Sequence, residues 1–338
     1  MNDIYIVTGA FGHLGNTIVN TLLEMKKKVR GFELIGANRP ISFKEEVQMF
    51  YGDVRISDSL DDLFMGLEDK EIYLIHTAGI ISIEEKFNQN VYDVNVIGTK
   101  NLLEKALTYH VKRFLHVSSV HAIPEVKGII SEINDFDPNK VKGLYAKTKA
   151  EATALVLSKK DILDVVVVHP SGIIGPNDYG HGHLTQLVID IAEGKLRGGF
   201  GGGYDYVDVR DVANGIINAL YKGRRGECYI LSGEYYQTKQ LINTVSEITK
   251  RKPLTYYFPT WFIKSVALLA EAWYRARKRP PLFTKYSIEV LLSNGNFSSQ
   301  KAQDELNYKP RPIKESLIDT VNFLIEHNRI KNKLNKDS

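Results

Sequence analysis

The stretch IYIVTGAFGHLG at residues 4–15 carries the clearest signal of the fold. An apolar, β-branched run at residues 4–7 leads into Gly9, Gly12 and Gly15, and an apolar helical pattern follows. Glycines at such a turn let the backbone approach a phosphate closely, and the following helix N-terminus offers free N–H donors. The stretch predicts a strand, a phosphate-binding loop and a helix. The alternative is that the glycines only shape the turn, since their spacing differs from Gly-x-Gly-x-x-Gly.

The rest of the chain alternates short β-branched runs with longer helical patterns, which predicts parallel strands joined by crossover helices. Several runs are apolar without alternation, as expected of strands that are covered on both faces. The predicted strands are residues 4–7, 28–33, 47–51, 72–76, 113–117, 165–169 and 228–231. The predicted helices are residues 14–25, 91–109, 143–157 and 212–220. We therefore expect an α/β protein with a doubly wound parallel sheet of the Rossmann type.

The sequence pattern changes after Pro170. A Gly/His-rich stretch at residues 172–203 interrupts the alternation, and helical patterns dominate after Gly233. The predicted dinucleotide-binding domain comprises residues 1–170 and 205–232. The predicted substrate subdomain, which is smaller and mostly helical, comprises residues 171–204 and 233–330. Residues 331–338 are polar and charged and predict a flexible tail.

Composition excludes several classes of protein. A hydrophobic content of 43% and a net charge of +4 are ordinary for a globular chain, and the basic residues do not cluster as in nucleic-acid-binding proteins. The single cysteine, Cys228, excludes an intrachain disulfide and a multi-cysteine zinc site. His181 and His183 lack acidic or cysteine partners, so we expect no metal site. Without the features of a secretory signal at the start of the chain, we expect a cytoplasmic protein.

An acidic residue, Glu33, ends the second predicted strand at roughly the 20-residue spacing where a carboxylate accepts hydrogen bonds from the ribose of NAD. The same carboxylate repels the 2′-phosphate of NADP, so NAD is favoured over NADP. The alternative is that this strand ends later and that Arg30 or Arg39 meets a phosphate. Asp53, after the third strand, predicts an adenine contact, with a turn or cap role as the alternative.

Tyr145 and Lys149 are four residues apart in a predicted helix and therefore share one face. A free tyrosine has a pKa near ~10, and a neighbouring ammonium favours its phenolate, which suits acid–base catalysis. The pattern alone is weak, because the chain has 18 tyrosines. The position of this pattern after the fifth predicted strand strengthens the prediction of an active site, because that strand places Ser119 at the ligand-binding edge of the sheet. Ser119 is placed to polarise a carbonyl, and Ser118 is its rival.

The order of the motifs along the chain resembles that of extended short-chain dehydrogenases/reductases over nearly the whole length. The motifs are TGAFGHLG, HTAG, NVIGT, HVSSVHA, YAKTK, HPSGIIGP and YVDVRDVA. RPPLFT and the following KYSIEVLLSNGNFSSQKAQDELNYKPRPI are most similar to the 3β-hydroxysteroid dehydrogenase and dihydroflavonol reductase branch. The resemblance implies an NAD(P)-dependent oxidoreductase that acts as a homodimer.

The resemblance also implies a role for each matching residue. Ser119, Tyr145 and Lys149 match the catalytic residues, and Asn95 matches the helix asparagine that supports the active site. The implied cofactor-binding residues are Gly9, Phe11, Gly12, His13, Leu14, Gly15, Glu33, Asp53, Val54, Thr77, Ala78, Gly79, Tyr145, Lys149, Pro170, Ser171 and Ile173.

An aromatic stretch with a basic end occupies residues 260–279. Its apolar part is shorter than the ~20 residues of a spanning helix and contains Lys264 and Glu271, so we expect no membrane span. We interpret it as a helix that packs on the subdomain, with its basic end matching the helix dipole. An interfacial helix in peripheral contact with a membrane and a lid over an apolar substrate are the alternatives.

These signals together predict an enzyme that interconverts a carbonyl and an alcohol on a small molecule by hydride transfer. The aromatic stretch favours an apolar substrate, such as a steroid-like or flavonoid-like ketone or aldehyde. The alternative is a nucleotide-sugar epimerase or dehydratase, which would retain NAD and show no net cofactor turnover. A third reading is a non-catalytic dinucleotide sensor, and the presence of Ser119, Tyr145 and Lys149 argues against it.

Overall fold

A parallel sheet of seven strands forms the centre of the protein in a computed structural model that describes residues 3–83, 86–180, 182–196, 198–259 and 285–330. Its strands are β1 (Asp3–Thr8), β2 (Lys28–Glu33), β3 (Gln48–Tyr51), β4 (Glu71–His76), β5 (Arg113–Val117), β6 (Val165–Pro170) and β10 (Cys228–Leu231). The strand order is β10-β6-β5-β4-β1-β2-β3, so the winding reverses between β1 and β4. The predicted doubly wound α/β fold is confirmed. Ligands bind at such a reversal, beyond the carboxyl ends of the strands.

Helices flank both faces of this sheet and also pack on the smaller strands that follow β6. They are α1 (His13–Glu24), α2 (Asp61–Phe64), α3 (Gln89–Tyr92), α4 (Gly98–Thr108), α5 (Leu144–Leu157), α6 (His183–Ala192), α7 (Val209–Lys222), α8 (Thr238–Ile248), α9 (Lys285–Leu292), α10 (Gln300–Leu306) and α11 (Ile313–Glu326). Successive side chains of a strand point to opposite faces of the sheet, so each central strand contributes side chains to two hydrophobic cores, one on each face. In β4, Leu74 joins the core beside α4 and α5, whereas Ile75 joins the core beside α1 and α7.

All four predicted helices differ from their observed bounds, and the predicted helix 14–25 is shifted by one residue to His13–Glu24. The predicted helix 91–109 begins at Gln89 and is interrupted by a π-helical turn at Asp93–Ile97. The predicted helix 143–157 begins one residue later, because Gly143 has a φ of +88°, outside the helical region. The predicted helix 212–220 extends over Val209–Lys222, because the Asp208 side chain accepts from the Arg210 N–H and caps an earlier start.

Smaller elements follow β6 and lie over the carboxyl edge of the main sheet. Strands β7 (Gly172–Ile174), β9 (Gly203–Asp208) and β11 (Glu234–Gln237) form a second sheet in the order β11-β9-β7. Strands β8 (Gly199–Phe200) and β12 (Tyr257–Phe258) pair with each other. Because β9 runs across the predicted boundary between residues 204 and 205, the division into two domains stays a prediction.

Two predicted segments, the aromatic stretch at 260–279 and the tail at 331–338, lie outside the described residues. Within the described ranges, no helix has the length and apolar character needed to cross a membrane.

Candidate active site

A cleft of about 1020 Å³ opens at the carboxyl ends of the central strands. It brings together nearly all the residues that the sequence predicted for the site. Those that line it are Gly9, Gly12, His13, Leu14, Gly15, Glu33, Asp53, Val54, Thr77, Ala78, Gly79, Ser119, Tyr145, Lys149, Pro170, Ser171 and Ile173. The two that do not line it are Phe11 and Asn95. Both of these contact residues of the cleft wall, as described below.

The glycine loop between β1 and α1 has the shape of a phosphate cradle. Gly9 has a φ of +69°, which favours glycine, and a Cβ on Gly15 would lie 2.0 Å from the Gly9 carbonyl oxygen. The N-cap residue of α1, Gly12, offers no side chain to the N–H groups of the first turn. These N–H groups and the helix dipole suit an anion, so the loop fits the pyrophosphate of a dinucleotide.

Glu33 is held on the cleft wall by two backbone donors. Its carboxylate accepts from the Phe11 N–H at 2.8 Å and from the Leu34 N–H at 3.0 Å. The Phe11 ring packs edge-on against Phe43, with ring centroids 4.8 Å apart. Phe11 therefore supports the carboxylate through its backbone and does not line the cleft itself.

The two arginines that were alternatives to Glu33 are directed elsewhere. Arg30 donates to the carbonyl oxygens of Leu63 and Met65 at 2.8 and 2.9 Å, and Arg39 donates to the Lys44 carbonyl oxygen at 3.1 Å. Neither arginine is part of the described cleft wall.

Asp53 lines the cleft and also stabilises a turn. Its carboxylate accepts from the Arg55 N–H at 2.9 Å and pairs with the Arg55 guanidinium, and this hydrogen-bonded pair lowers the pKa of Asp53. Arg55 lines the cleft as well and donates to Asn90 Oδ1 at 2.7 Å. The turn role that was the alternative for Asp53 therefore coexists with its place on the cleft wall. The sequence analysis missed Arg55, although it follows Asp53 closely.

Ser119 and Tyr145 line the same part of the cleft wall. The Ser119 side chain lies near enough to Tyr145 to lower the pKa of its hydroxyl, and it accepts from the His121 N–H at 3.3 Å. Ser118, the rival serine, bonds instead to the Thr153 hydroxyl at 2.7 Å. Ser119, and not Ser118, is therefore the serine that acts on the tyrosine.

Burial sets the charge states of Tyr145 and Lys149. It raises the pKa of Tyr145 to about 12, with the Ser119 hydrogen bond acting in the opposite direction. It lowers the pKa of Lys149 to about 8, and the ammonium donates to the Val117 carbonyl oxygen at 2.9 Å. In this structure desolvation of Tyr145 outweighs any lowering of its pKa by Lys149. Tyr145 is therefore protonated at neutral pH, as a proton donor must be.

Asn95 lies behind the cleft wall in the π-helical turn and is 1% exposed. Its amide bonds both backbone groups of Ile80, at 2.8 and 3.0 Å, and donates to the Thr148 hydroxyl at 3.0 Å. Thr148 in turn donates to the Tyr145 carbonyl oxygen at 2.9 Å. The wide turn thus directs Asn95 so that it joins the cleft wall to the first turn of α5.

A buried histidine, His76, continues this network away from the cleft. The Thr99 hydroxyl donates to the Asn95 carbonyl oxygen at 2.7 Å, so it accepts from His76 Nε2 at 3.0 Å. The other ring nitrogen then accepts from the Thr8 hydroxyl at 2.8 Å. The sequence analysis assigned no role to His76 or Thr99, although both stand in the HTAG and NVIGT motifs that it quoted.

On the opposite wall, the stretch after β6 is fixed by a buried carboxylate. Asp205 accepts from the Ser171 hydroxyl at 2.5 Å and from the Gly233 N–H at 2.8 Å. Burial raises the pKa of Asp205 to about 6. Asp205 therefore holds Ser171, beside Pro170 and Ile173, in place on the cleft wall.

The cleft wall also contains residues that were not predicted from the sequence. Their apolar side chains are Ile80, Ile81, Leu184, Leu187, Val290 and Leu291. His121, Tyr204 and Tyr206 add aromatic surface, and Asp178 and Asp190 add acidic groups. They come from five separate parts of the chain and carry no local motif that could have marked them.

His183 lines the cleft, whereas His181 lies outside the described residues. In the part of the chain that the structure describes, no group of three histidine, cysteine or acidic side chains is arranged to hold a metal ion.

Comparison with known proteins places this geometry in context. The chain is 32% identical to sterol demethylase protein B of Methylococcus capsulatus, over 96% of this chain and 99% of that protein. It is 28% identical to a putative dihydroflavonol 4-reductase of Synechocystis, over 98% and 97% of the two chains. The crystal structure of gox2253 superposes with a TM-score of 0.84 at 29% identity, covering 98% of this chain and 100% of that one.

The resemblance to extended short-chain dehydrogenases/reductases is confirmed by these relatives and by a family model. That model, the NAD dependent epimerase/dehydratase family, matches residues 5–232, which include the glycine loop, Ser119, Tyr145 and Lys149. The chain belongs to the NAD dependent epimerase/dehydratase family.

Proposed function

We propose that the protein is an NAD-dependent dehydrogenase or reductase that interconverts a carbonyl and an alcohol on an apolar, uncharged substrate. The observation that carries this proposal is that Ser119, Tyr145 and Lys149 line one cleft together with apolar and aromatic side chains. The names of the relatives, a sterol demethylase protein and a dihydroflavonol reductase, support a fused-ring substrate.

The charges on the cleft wall disfavour a nucleotide-sugar. A diphosphate needs cationic partners, and arginine and lysine are the usual ones. Among the described lining residues these are Arg55, which is paired with Asp53, and Lys149, which lies beside the catalytic groups. The wall also carries the acidic Asp178 and Asp190, of which Asp190 is paired with Lys195 at 3.7 Å. An uncharged substrate suits this wall better than a diphosphate does.

The cofactor would be held by three parts of the described wall. The glycine loop and the first turn of α1 would hold the pyrophosphate, Glu33 would accept from the ribose hydroxyls, and Asp53 and Val54 would border the adenine. We propose NAD over NADP, because a 2′-phosphate would meet the Glu33 carboxylate while Arg30 and Arg39 are bonded elsewhere. When bound, the nicotinamide supplies or accepts the hydride.

The catalytic residues supply binding and proton transfer. In the reductive direction Ser119 donates a hydrogen bond to the substrate carbonyl oxygen, and Tyr145 delivers the proton to that oxygen. Lys149, charged at neutral pH, stabilises the phenolate that forms on Tyr145. Oxidation of an alcohol uses the same groups in reverse, with the Tyr145 phenolate as the base.

Cofactor binding and turnover test this proposal in sequence. NADH and NADPH are titrated by fluorescence into the wild type, Glu33→Ala and the surface control Glu46→Ala. We expect NADH to bind more tightly than NADPH to the wild type and to the control. We expect Glu33→Ala to reduce the ratio of the NADPH Kd to the NADH Kd about tenfold, which is equivalent to about 1.4 kcal/mol. Tighter NADPH binding by the wild type would refute the role of Glu33.

Turnover is then followed at the NADH absorbance with 5α-androstan-3-one, dihydroquercetin and UDP-glucose. We expect NADH to be consumed with one of the two ketones, and Tyr145→Phe to slow this by about 10²-fold or more while NADH still binds. UDP-glucose epimerisation with NAD retained and no net NADH consumption would favour the alternative. NADH binding without turnover of any substrate would favour a sensor.

Homodimerisation, peripheral membrane contact and a cytoplasmic location stay predictions. A dimeric mass by light scattering at working concentration would support the first, and a monomeric mass would reject it.

A further inference from the structure

A histidine and a tyrosine from distant parts of the chain meet beside the catalytic groups. The Tyr204 hydroxyl lies 2.9 Å from His121 Nε2, and the two rings stack with centroids 5.7 Å apart and planes 14° apart. His121 belongs to the loop after β5, and Tyr204 belongs to β9 of the second sheet. The pair therefore joins the main sheet to the elements that cover its carboxyl edge.

His121 contacts both catalytic hydroxyl residues. Its backbone N–H donates to Ser119 Oγ at 3.3 Å, and its ring stands edge-on to Tyr145, with centroids 6.0 Å apart and planes 71° apart. A displacement of the His121 ring would therefore remove a packing contact of the Tyr145 ring. It would also disturb the backbone donor that orients the Ser119 hydroxyl.

Tyr204 is itself held rigidly. It is 7% exposed and makes edge contacts with Tyr206 and Phe297 at centroid distances of 6.0 and 6.3 Å. A Cβ on Gly172 would lie 3.1 Å from the Tyr204 ring, so the ring packs directly on the backbone that follows Ser171. Tyr204 thus connects the wall that carries Ser171 to His121 and, through His121, to Tyr145.

We propose that His121 and Tyr204 form a positioning pair that fixes the Tyr145 ring and the Ser119 hydroxyl relative to the wall formed by Pro170, Ser171 and Ile173. The inference rests on the proposed carbonyl–alcohol chemistry, because that chemistry requires the proton donor and the cofactor wall to face one substrate oxygen. Burial lowers the pKa of His121 to about 4, so the imidazole is neutral at pH 7 and the bond to Tyr204 is a neutral one. Misplacing a catalytic group by about 1 Å can cost about 10²-fold in rate, which gives the pair its importance.

Kinetics of three variants test the pair. Tyr204→Phe removes the hydroxyl and keeps the ring, His121→Phe keeps an aromatic ring without the bond, and the double variant removes both partners. Tyr236→Phe, opposite Tyr204 on β11, is the matched control. With 5α-androstan-3-one and NADH, we expect kcat to fall about tenfold in each single variant, with KM and the NADH Kd within about twofold. We expect the double variant to be no slower than the worse single one, because both changes break one bond.

Two other kinetic results would overturn the proposal. A raised KM with an unchanged kcat would make Tyr204 a substrate contact only. Unchanged kcat and KM, with a lowered melting temperature, would make the pair structural only. If His121→Phe does not fold, Tyr204→Phe still decides between these results.

A substrate-independent measurement separates this proposal from the proposed function. In protein labelled with ring-¹³C tyrosine, the Tyr145 signals are assigned with Tyr145→Phe, and they sense the ring current of His121. We expect Tyr204→Phe to move the Tyr145 signals and Tyr236→Phe to leave them in place. Unmoved signals in Tyr204→Phe would refute the positioning role. Moved signals in a protein that reduces no ketone would refute only the proposed function.

Discussion

At the scale of single residues, burial shifts the pKa values of Tyr145 and Lys149 in opposite directions. The tyrosine is a weak acid with a pKa of about 12, so it keeps its proton across the working range of pH. The lysine, with a pKa of about 8, titrates close to that range. The pH dependence of the reductive reaction should therefore report Lys149 and not Tyr145.

We expect reductive kcat/KM to be constant below pH 8 and to fall as the pH rises through about 8, because the ammonium is lost there. The measurement is a pH profile of NADH consumption. Lys149→Arg, which stays charged, should abolish the decline, and the exposed neighbour Lys147→Arg should keep it. A decline that persists unchanged in Lys149→Arg would assign it to another group.

At the scale of elements, the junction of β1 and α1 shows how closely the glycine loop is packed. A Cβ on Gly15 would overlap the Gly9 carbonyl oxygen at 2.0 Å, so the loop and the helix would have to separate. We expect Gly15→Ala to raise the NADH Kd at least about tenfold, by calorimetry, through loss of the N–H donors at the helix start. Gly201→Ala, where a Cβ would meet no atom within 4 Å, is the control and should bind normally. Equal affinities in the two variants would contradict this packing argument.

A second feature at this scale is a row of buried histidines under α5. His76 is the last residue of β4, and His116 and His169 are the penultimate residues of β5 and β6, all on one face of the sheet. The rings of His76 and His116 lie 5.5 Å apart by their centroids. Burial lowers the pKa values of His76 and His169 to about 3 and about 4, and it lowers that of His116 further below its usual value. Neither ring nitrogen of His116 has a hydrogen-bond partner among the described residues.

These histidines predict sensitivity to acid. At a pH between its pKa in the folded protein and its pKa of about 6.5 in the unfolded chain, each imidazole gains a proton on unfolding. The free energy of unfolding therefore falls as the pH drops below about 6.5. Each group contributes up to about 1.4 kcal/mol per pH unit. We expect His116→Leu to weaken this acid dependence by about that amount, measured by urea unfolding between pH 7.5 and 5. The exposed control His110→Asn should leave the pH dependence of the free energy of unfolding unchanged. If His116→Leu has the same pH dependence as the wild type, His116 does not cause the acid sensitivity.

At the scale of the whole molecule, an ion pair connects the C-terminal helix to the main sheet. Arg311, two residues before α11, donates through its backbone N–H and its guanidinium to both carboxylate oxygens of Asp211 on α7, at 2.8 to 3.1 Å. The side chains are 28% and 6% exposed, so this pair is more shielded from water than most surface pairs.

We expect Asp211→Asn to lower the free energy of unfolding by about 1–3 kcal/mol, since charged hydrogen bonds are lost and the guanidinium keeps its charge. Glu247→Gln breaks the exposed Lys314–Glu247 pair of 3.6 Å and should cost no more than about 0.5 kcal/mol. Urea unfolding compares the two variants, and equal effects would show that burial does not distinguish the pairs.

The main sheet and the glycine loop could be predicted from local patterns in the sequence. Predicted strand 228–231 coincides with Cys228–Leu231, because a strand that is buried on both faces leaves a continuous apolar run, here CYIL. The order of short motifs located Ser119, Tyr145 and Lys149, since each follows a strand or begins a helix at a fixed place in the fold. Such signals involve residues that are close together in the sequence, so they can be recognised in a single sequence.

The other features of the candidate site arise from tertiary contacts and could not be predicted from the sequence. The π-helical turn that directs Asn95, the meeting of His121 with Tyr204 and the apolar wall from Ile80 to Leu291 depend on segments far apart in the chain. The direction of the Tyr145 pKa shift likewise depends on how much water the surrounding helices exclude. Burial and long-range contact arise when distant segments pack together, and a local pattern of residues does not record that packing.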